Sequence, residues 1–80
     1  MNKWIDINNE IPPDDPEYND GTSIVVLIVG KRYKEDNKCC VLMGFRQDNE
    51  SSGVIWFELN GGDLSYVTHW MYLPEFIQKP

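Results

Sequence analysis

Apolar residues along the chain fall into four short runs that are separated by polar, charged or glycine-containing segments. The runs cover residues 23–30, 39–47, 54–60 and 66–72, and they are rich in Val, Ile, Tyr, Phe and Trp. Runs of this length and composition, bounded by turn-forming residues, predict β-strands. Because the connections between them are short, we predict a mainly β protein. Its core would be a single antiparallel four-stranded meander sheet with little helix, and a small α+β domain is the alternative.

The two ends of the chain have a different pattern. Residues 1–22 form an N-terminal arm, and three prolines between residues 12 and 16 exclude a helix interior or a central strand there. Residues 73–80 form a short C-terminal tail. We therefore predict one domain over residues 1–80, with the sheet core at residues 23–72.

The predicted strands are apolar throughout and do not alternate between apolar and polar residues. This holds for residues 24–29, 39–43 and 54–57, and it indicates strands that are buried on both faces. No amphipathic helix is available to cover a second face. The sheet could curl into a barrel, the terminal arms could fold across it, or a second subunit could cover it. We favour arms combined with a homo-oligomer, because an uncovered apolar face is typically an interface.

Charge narrows the classes of partner. The net charge is −6, and the six charged residues between Asp6 and Asp20 are all acidic. Four of the seven basic residues fall within residues 31–38. Because contacts to phosphates need clustered Lys and Arg, we expect no nucleic-acid partner.

The sequence contains no segment typical of export or of membrane insertion. Residues 1–12 carry three charges and no apolar core, so no signal peptide is predicted. The longest apolar run, residues 24–29, is too short to span a bilayer, and we expect a cytoplasmic protein with no membrane partner.

Cys39 and Cys40 are adjacent on a strand and cannot pair without strain, so one buried and one half-exposed thiol are expected. We expect no metal, no cofactor and no enzymatic activity, because no zinc, nucleophile or acid–base pattern is present.

The last strand offers a candidate contact surface. Alternate residues of an extended strand point to the same face. A stripe on one face would therefore hold Tyr66, Thr68, Trp70 and Tyr72, and the opposite face would hold Val67, His69 and Met71. The stripe is either core or a contact surface, since Trp and Tyr are enriched in both.

Histidine and basic residues complete the candidates. His69 is the only histidine, and we interpret it as structural and hydrogen-bonded to the backbone, because no pattern supplies a partner acid or nucleophile. Basic side chains could grip an anionic ligand. The predicted ligand- or partner-binding residues are Trp70, Tyr72, Thr68, Tyr66, His69, Arg46, Lys31 and Arg32.

Both ends of the chain resemble a known family. Residues 4–12, W-I-D-I-N-N-E-I-P, resemble the opening W-I-x-V-x-x-x-L-P of domain-of-unknown-function family 551. Residues 67–75 are similar to its close, V-T-H-W-M-P-L-P-E, with Tyr72 where proline is usual. The middle is longer than typical, through residues 31–38 and 48–53. The family is found in phages, prophages and some bacterial genomes, and it has no established activity. The resemblance therefore implies a setting inside a bacterial host cell, without a mechanism.

These observations lead to two functional hypotheses. The first is a non-enzymatic phage or prophage accessory protein that acts as a binding or interaction module on a host component. The second is an oligomeric sponge that sequesters a small anionic ligand, such as a signalling nucleotide, in an anti-defence role.

Overall fold

The structure is a computed structural model that describes residues 3–74. Its strands are β1 (Ile5–Asp6), β2 (Val26–Lys31), β3 (Cys40–Asn49), β4 (Gly53–Glu58) and β5 (Tyr66–Tyr72). They form one open antiparallel sheet in the order β1-β5-β2-β3-β4. Residues 3–74 contain no helix. The predicted mainly β class is confirmed, with five strands instead of four.

The predicted meander is correct only for β2, β3 and β4. The last strand does not lie beside β4 but pairs with β2, and the N-terminal arm adds β1 to the outer edge of β5. The cause is the segment between β4 and β5, which folds back along β4. The Leu64 N–H donates to the carbonyl oxygen of Trp56 and the Ser65 N–H to that of Lys31. This segment takes the position beside β4 that a meander would give to β5.

One face of the sheet, called here the inner face, carries the hydrophobic core. Its buried apolar residues are Val26, Ile28, Leu42, Trp56, Leu64, Val67 and Trp70. The N-terminal arm covers this face: Pro12 is fully buried, and the indole N–H of Trp70 donates to the carbonyl oxygen of Glu10 at 2.8 Å. Burying one such large apolar side chain contributes about 3 kcal/mol, so the inner face supplies much of the stability.

The opposite face, called here the outer face, is also apolar. Cross-strand partners share a face, and the register pairs Leu27 with Met43 and Val29 with Val41. The outer face consists of Leu27, Val29, Val41, Met43, Phe45, Phe57, Leu59 and Met71. Val41 is 58% exposed, Met43 42% and Leu59 50%, because no described residue packs over them. The arm thus covers only one of two apolar faces.

Two further expectations are changed by the structure. Cys39 and Cys40 are both exposed, not one buried and one half-exposed, because they lie where β3 begins, beyond the covered part of the sheet. Part of the predicted C-terminal tail, residues 75–80, lies outside the described residues.

Gly44 lets two strands approach closely. A Cβ atom built at this position would overlap the carbonyl oxygen of Phe57 and lie 3.1 Å from Cδ1 of Ile28. Only glycine leaves room for the backbone of β4 at that point.

We expect Gly44→Ala to lower the free energy of unfolding by about 3 kcal/mol, because the methyl group must push β4 away from β3. Urea unfolding followed by tryptophan fluorescence measures the loss. Gly62→Ala is the matched control, because a Cβ there meets no atom within 4 Å. Equal stability of the two variants would contradict the close approach.

Candidate binding groove

A β-bulge in β5 separates the residues that the sequence placed in one stripe. The register pairs Val67 with Gly30 and His69 with Val29, so Thr68 is the extra residue. The bulge reverses the alternation from that point along the strand. The prediction that Tyr66, Thr68, Trp70 and Tyr72 share one face is therefore wrong, as is the shared face of Val67 with His69 and Met71.

The aromatic residues of the predicted stripe have different roles. Trp70 is 0% exposed and belongs to the core, so it packs against the arm and cannot contact a partner in this conformation. Tyr72 is half-exposed, with its ring edge-on to Trp70 at 5.0 Å between centroids. Tyr66 lies on the other side of the bulge, opposite Lys31. The stripe is not one surface.

The side chains of His69 and Thr68 form hydrogen bonds at the bulge. Nδ1 of His69 lies 2.9 Å from the Thr68 hydroxyl oxygen, and that hydroxyl donates to the carbonyl oxygen of Val29 at 3.5 Å. The histidine is hydrogen-bonded, as a structural role requires, although its partner is a side chain and not the backbone that was predicted.

Arg46 lies on the inner face and is only 3% exposed. Its Nε and Nη2 donate to the carbonyl oxygen of Pro12, and its Nη1 donates to that of Gly21 at 2.8 Å. The Asp14 carboxylate lies 2.8 Å from Nη2, and the Asp48 carboxylate lies 3.4 Å from Nη1. The guanidinium is therefore committed to internal partners. The structure corrects the prediction that Arg46 contacts a ligand, because the guanidinium is buried and its donors are occupied by these internal partners. A buried charge is stable only when it is paired and hydrogen-bonded in this way.

These contacts hold both ends of one loop, residues 15–20. Pro12 and Asp14 precede the loop and Gly21 follows it, and all three contact the same guanidinium. The backbone adds a hydrogen bond from the Asp15 N–H to the Thr22 carbonyl oxygen at 2.9 Å. The loop is thereby fixed at the edge of the sheet.

Arg32 forms a different ion pair. Its Nε and Nη2 donate to the two carboxylate oxygens of Glu58, each at 2.7 Å. This bidentate hydrogen bond holds the pKa of Glu58 below its usual range and raises the pKa of Arg32. Arg32, predicted to bind a ligand, thus joins the end of β2 to the end of β4.

Lys31 is the one predicted basic residue whose ammonium faces an aromatic ring. Its Nζ lies 5.3 Å from the centroid of Tyr66, within the range of a cation–π contact. These two residues line a shallow recess of about 480 Å³ with Lys34 and Ser65. We call these four residues the basic corner. Neither Arg46 nor Trp70 lines it.

A larger groove of about 510 Å³ lies on the outer face beside the loop of residues 15–20. Its floor is apolar and consists of Val25, Phe45, Phe57 and Leu59. Phe45 and Phe57 are direct cross-strand partners, and their rings stack with centroids 5.5 Å apart. An apolar concavity of this volume is typical of a binding site.

The wall of the groove is polar and acidic. Asp15, Tyr18 and Asp20 line it on the loop side, and Thr22 and Gln47 line it where β3 pairs with the chain before β2. No basic residue lines it within the described part of the chain. An apolar floor beside carboxylates favours a ligand that combines an apolar group with a positive charge.

Sequence reasoning missed this groove because its floor comes from separate strands. Two signals were available in the sequence. The charged residues of the arm between Asp6 and Asp20 are all acidic, and the strands are apolar on both faces although the arm can cover only one. Neither showed that loop and floor are adjacent, since that follows from the contacts of Arg46.

Comparisons of the chain with protein-family models, with curated proteins and with solved structures find no match. Within residues 3–74, no three His, Cys, Asp or Glu side chains come together as a metal site. That part of the chain also contains no helix of the length and apolarity needed to cross a membrane.

We expect Arg46→Lys to lower the free energy of unfolding by about 3 kcal/mol, because an ammonium cannot reach the carbonyl oxygens on both sides of the loop. Urea unfolding measures the loss. Arg32→Lys is the matched control: its side chain is half-exposed, so water can replace part of the lost hydrogen bonding and the substitution should cost less. An equal or larger loss in Arg32→Lys would contradict the structural role of Arg46.

The Arg32–Glu58 pair predicts a pH dependence. Because the pKa of Glu58 is lowered in the folded state, its stabilisation is complete above the unfolded carboxyl value of about 4.3. It is lost as the pH falls through the lower folded value. Between about pH 5 and pH 3, the free energy of unfolding should fall less steeply in Arg32→Gln than in the unaltered chain. Urea titrations at several pH values measure the slopes, and Lys38→Gln controls for the lost charge. Identical slopes in all three proteins would contradict the pairing.

Proposed function

We propose that this protein is a non-enzymatic binding module that docks a partner protein on the outer face of its sheet. The observation that carries the proposal is the exposed apolar surface around Val41, Met43 and Leu59. Monomeric proteins rarely leave a contiguous apolar patch in water, and such patches typically mark protein contacts. Burial of these side chains supplies the driving force for docking.

The arrangement of the outer face supports a partner with a broad contact surface. Met71, Leu27 and Met43 follow one another across β5, β2 and β3, and the Leu59 N–H continues the row by donating to the Met43 carbonyl oxygen. Methionine side chains adapt their shape to a partner. The row is flat along the sheet and opens into the groove at Phe45 and Phe57.

Groups that could act as catalysts have other contacts, which is why we place the protein in a non-enzymatic class. His69 contacts Thr68, and Glu58 is held by Arg32. General acid–base catalysis needs a titrating group aimed into a cavity beside a reacting atom. The groove of about 510 Å³ is lined by phenylalanines and by two aspartates, one half-buried and one exposed, whose carboxylates accept hydrogen bonds from their own turns.

The family resemblance supplies the setting for this proposal. A phage or prophage accessory protein acts inside a bacterial cell, so the partner would be a host component. Self-association through the outer face belongs to the same proposal, since a second copy would cover the same apolar residues until the partner binds.

A second candidate is a sponge for a small anionic ligand at the basic corner. It is favoured by the Lys31 ammonium over the Tyr66 ring, next to Lys34 and Ser65. Thermal stabilisation by nucleotides that disappears in Lys31→Gln/Lys34→Gln would promote this candidate above the first.

We expect a photoreactive benzoylphenylalanine at position 41 to crosslink a host protein, whereas the same residue at position 54 does not. Val41 lies on the outer face, and Val54 is similarly exposed but lies at the start of β4 on the opposite side of the pleat. Met43→Asp should reduce the crosslink at position 41 at least tenfold, with stability changed by less than about 0.5 kcal/mol. The assay is irradiation in host lysate, followed by mass spectrometry of the crosslinked band.

Light scattering of the purified, unaltered chain measures self-association in parallel. Crosslinks to host proteins at both positions, or at neither, would contradict docking on the outer face. A crosslink at position 41 to a second copy alone would restrict the function to self-assembly.

A further inference from the structure

We propose that the groove beside residues 15–20 binds a partner segment in which a large apolar side chain is next to Lys or Arg. This inference rests on the proposed function and names the chemistry of the partner. The apolar side chain would enter the floor, and the cation would face the carboxylates of the wall.

The floor fits one large apolar side chain. Phe45 and Phe57 stack at 5.5 Å with an interplanar angle of 25°, so they present a continuous aromatic surface between Val25 and Leu59. The volume of about 510 Å³ accommodates an aromatic or aliphatic anchor together with its neighbouring backbone. Anchors of this kind supply most of the affinity in protein interfaces.

The wall selects a cation. One oxygen of Asp15 accepts from the Glu17 N–H at 2.9 Å, and one oxygen of Asp20 accepts from the Thr22 N–H at 3.2 Å. These turns orient both carboxylates and leave their charge uncompensated within the groove. Arg46, which holds the loop, is buried and paired with Asp14 and Asp48 on the inner face. The local potential is therefore negative, which repels an anion and attracts Lys or Arg.

The groove is also preorganised. Arg46 holds the chain before and after the loop through Pro12 and Gly21, so the wall does not need to be ordered when a ligand arrives. A ligand then loses less affinity to the ordering of its site. The carboxylates of the wall would bind the cation of the partner, and the floor would bind the apolar side chain next to it.

A foreign partner fits this chemistry better than a second copy. The chain has a net charge of −6, so electrostatic attraction to this groove is stronger for a basic segment than for a second acidic copy. The electrostatic potentials of the whole chain and of the groove wall are both negative, so both attract a basic segment.

The test uses fluorescent nine-residue peptides with a Gly-Ser frame and the full chain. The first probe has Phe-Lys-Arg at its centre, the second Phe-Glu-Glu and the third Gly-Lys-Arg, and parallel sets replace Phe by Leu or Trp. Fluorescence polarisation gives the dissociation constants. The first probe should bind at least tenfold more tightly than the other two, and its affinity should fall as NaCl is raised.

Asp15→Asn/Asp20→Asn should weaken the first probe at least tenfold, because the amides keep the turn hydrogen bonds but lose the charge. Glu50→Gln/Asp63→Asn is the matched control, since it removes two exposed acids that do not line the groove and should change the affinity less than twofold. Leu59→Asn tests the floor and should also weaken the first probe. Far-UV circular dichroism and urea unfolding confirm that the variants are folded.

Equal binding of the three probes, no binding of any of them, or equal affinity in the two double variants would overturn the inference. Loss of probe binding as the chain self-associates would show that a second copy occupies the groove, which also overturns it. If the position 41 crosslink persists while the probes fail, the partner docks on the outer face without the groove. In that case the proposed function stands and this inference falls.

Discussion

The hydrogen bonds and ion pairs of the buried Arg46 guanidinium fix the N-terminal arm against the sheet, and the other features of the fold follow from this contact. The guanidinium lies among backbone carbonyl oxygens and carboxylates from three stretches of chain, and it joins β3 to the arm on both sides of the loop of residues 15–20. A chain of 80 residues has a small core, so one such buried charge with several partners has a large effect on the position of the arm. Without the arm, the inner face and Trp70 would be open to water.

The same interaction divides the sheet into two faces with different roles. The arm covers the inner face, where Trp70 and Pro12 are buried. The loop of residues 15–20 is held at the edge, and it becomes the wall of a groove on the outer face. The stabilising core and the proposed docking surface therefore lie on opposite sides of one sheet. A substitution at Val41 should change the proposed docking without changing the core.

Local patterns predicted the strands, and contacts between distant residues decided the rest. The apolar runs located four of the five strands to within a few residues, because strand formation follows side-chain type and spacing. The pairing of β5 with β2, the bulge at Thr68 and the burial of Arg46 depend on partners far away along the chain. Apolar residues do lie on both faces, but the predicted burial is found only on the inner face, because Val41 and Met43 are exposed. The apolar runs did not show which face the arm covers, since the contacts of Arg46 decide this.

Carbene footprinting of the full chain can distinguish a sheet that is covered on one face and open on the other from one that is covered on both. Labelling is performed at a concentration at which light scattering reports a monomer, and mass spectrometry gives the yield per residue. Val41, Met43 and Leu59 should be labelled strongly, whereas Ile28 and Trp70 should be protected. Equal protection of the two sets, or strong labelling of Trp70, would contradict the division of the sheet into a core face and a docking face.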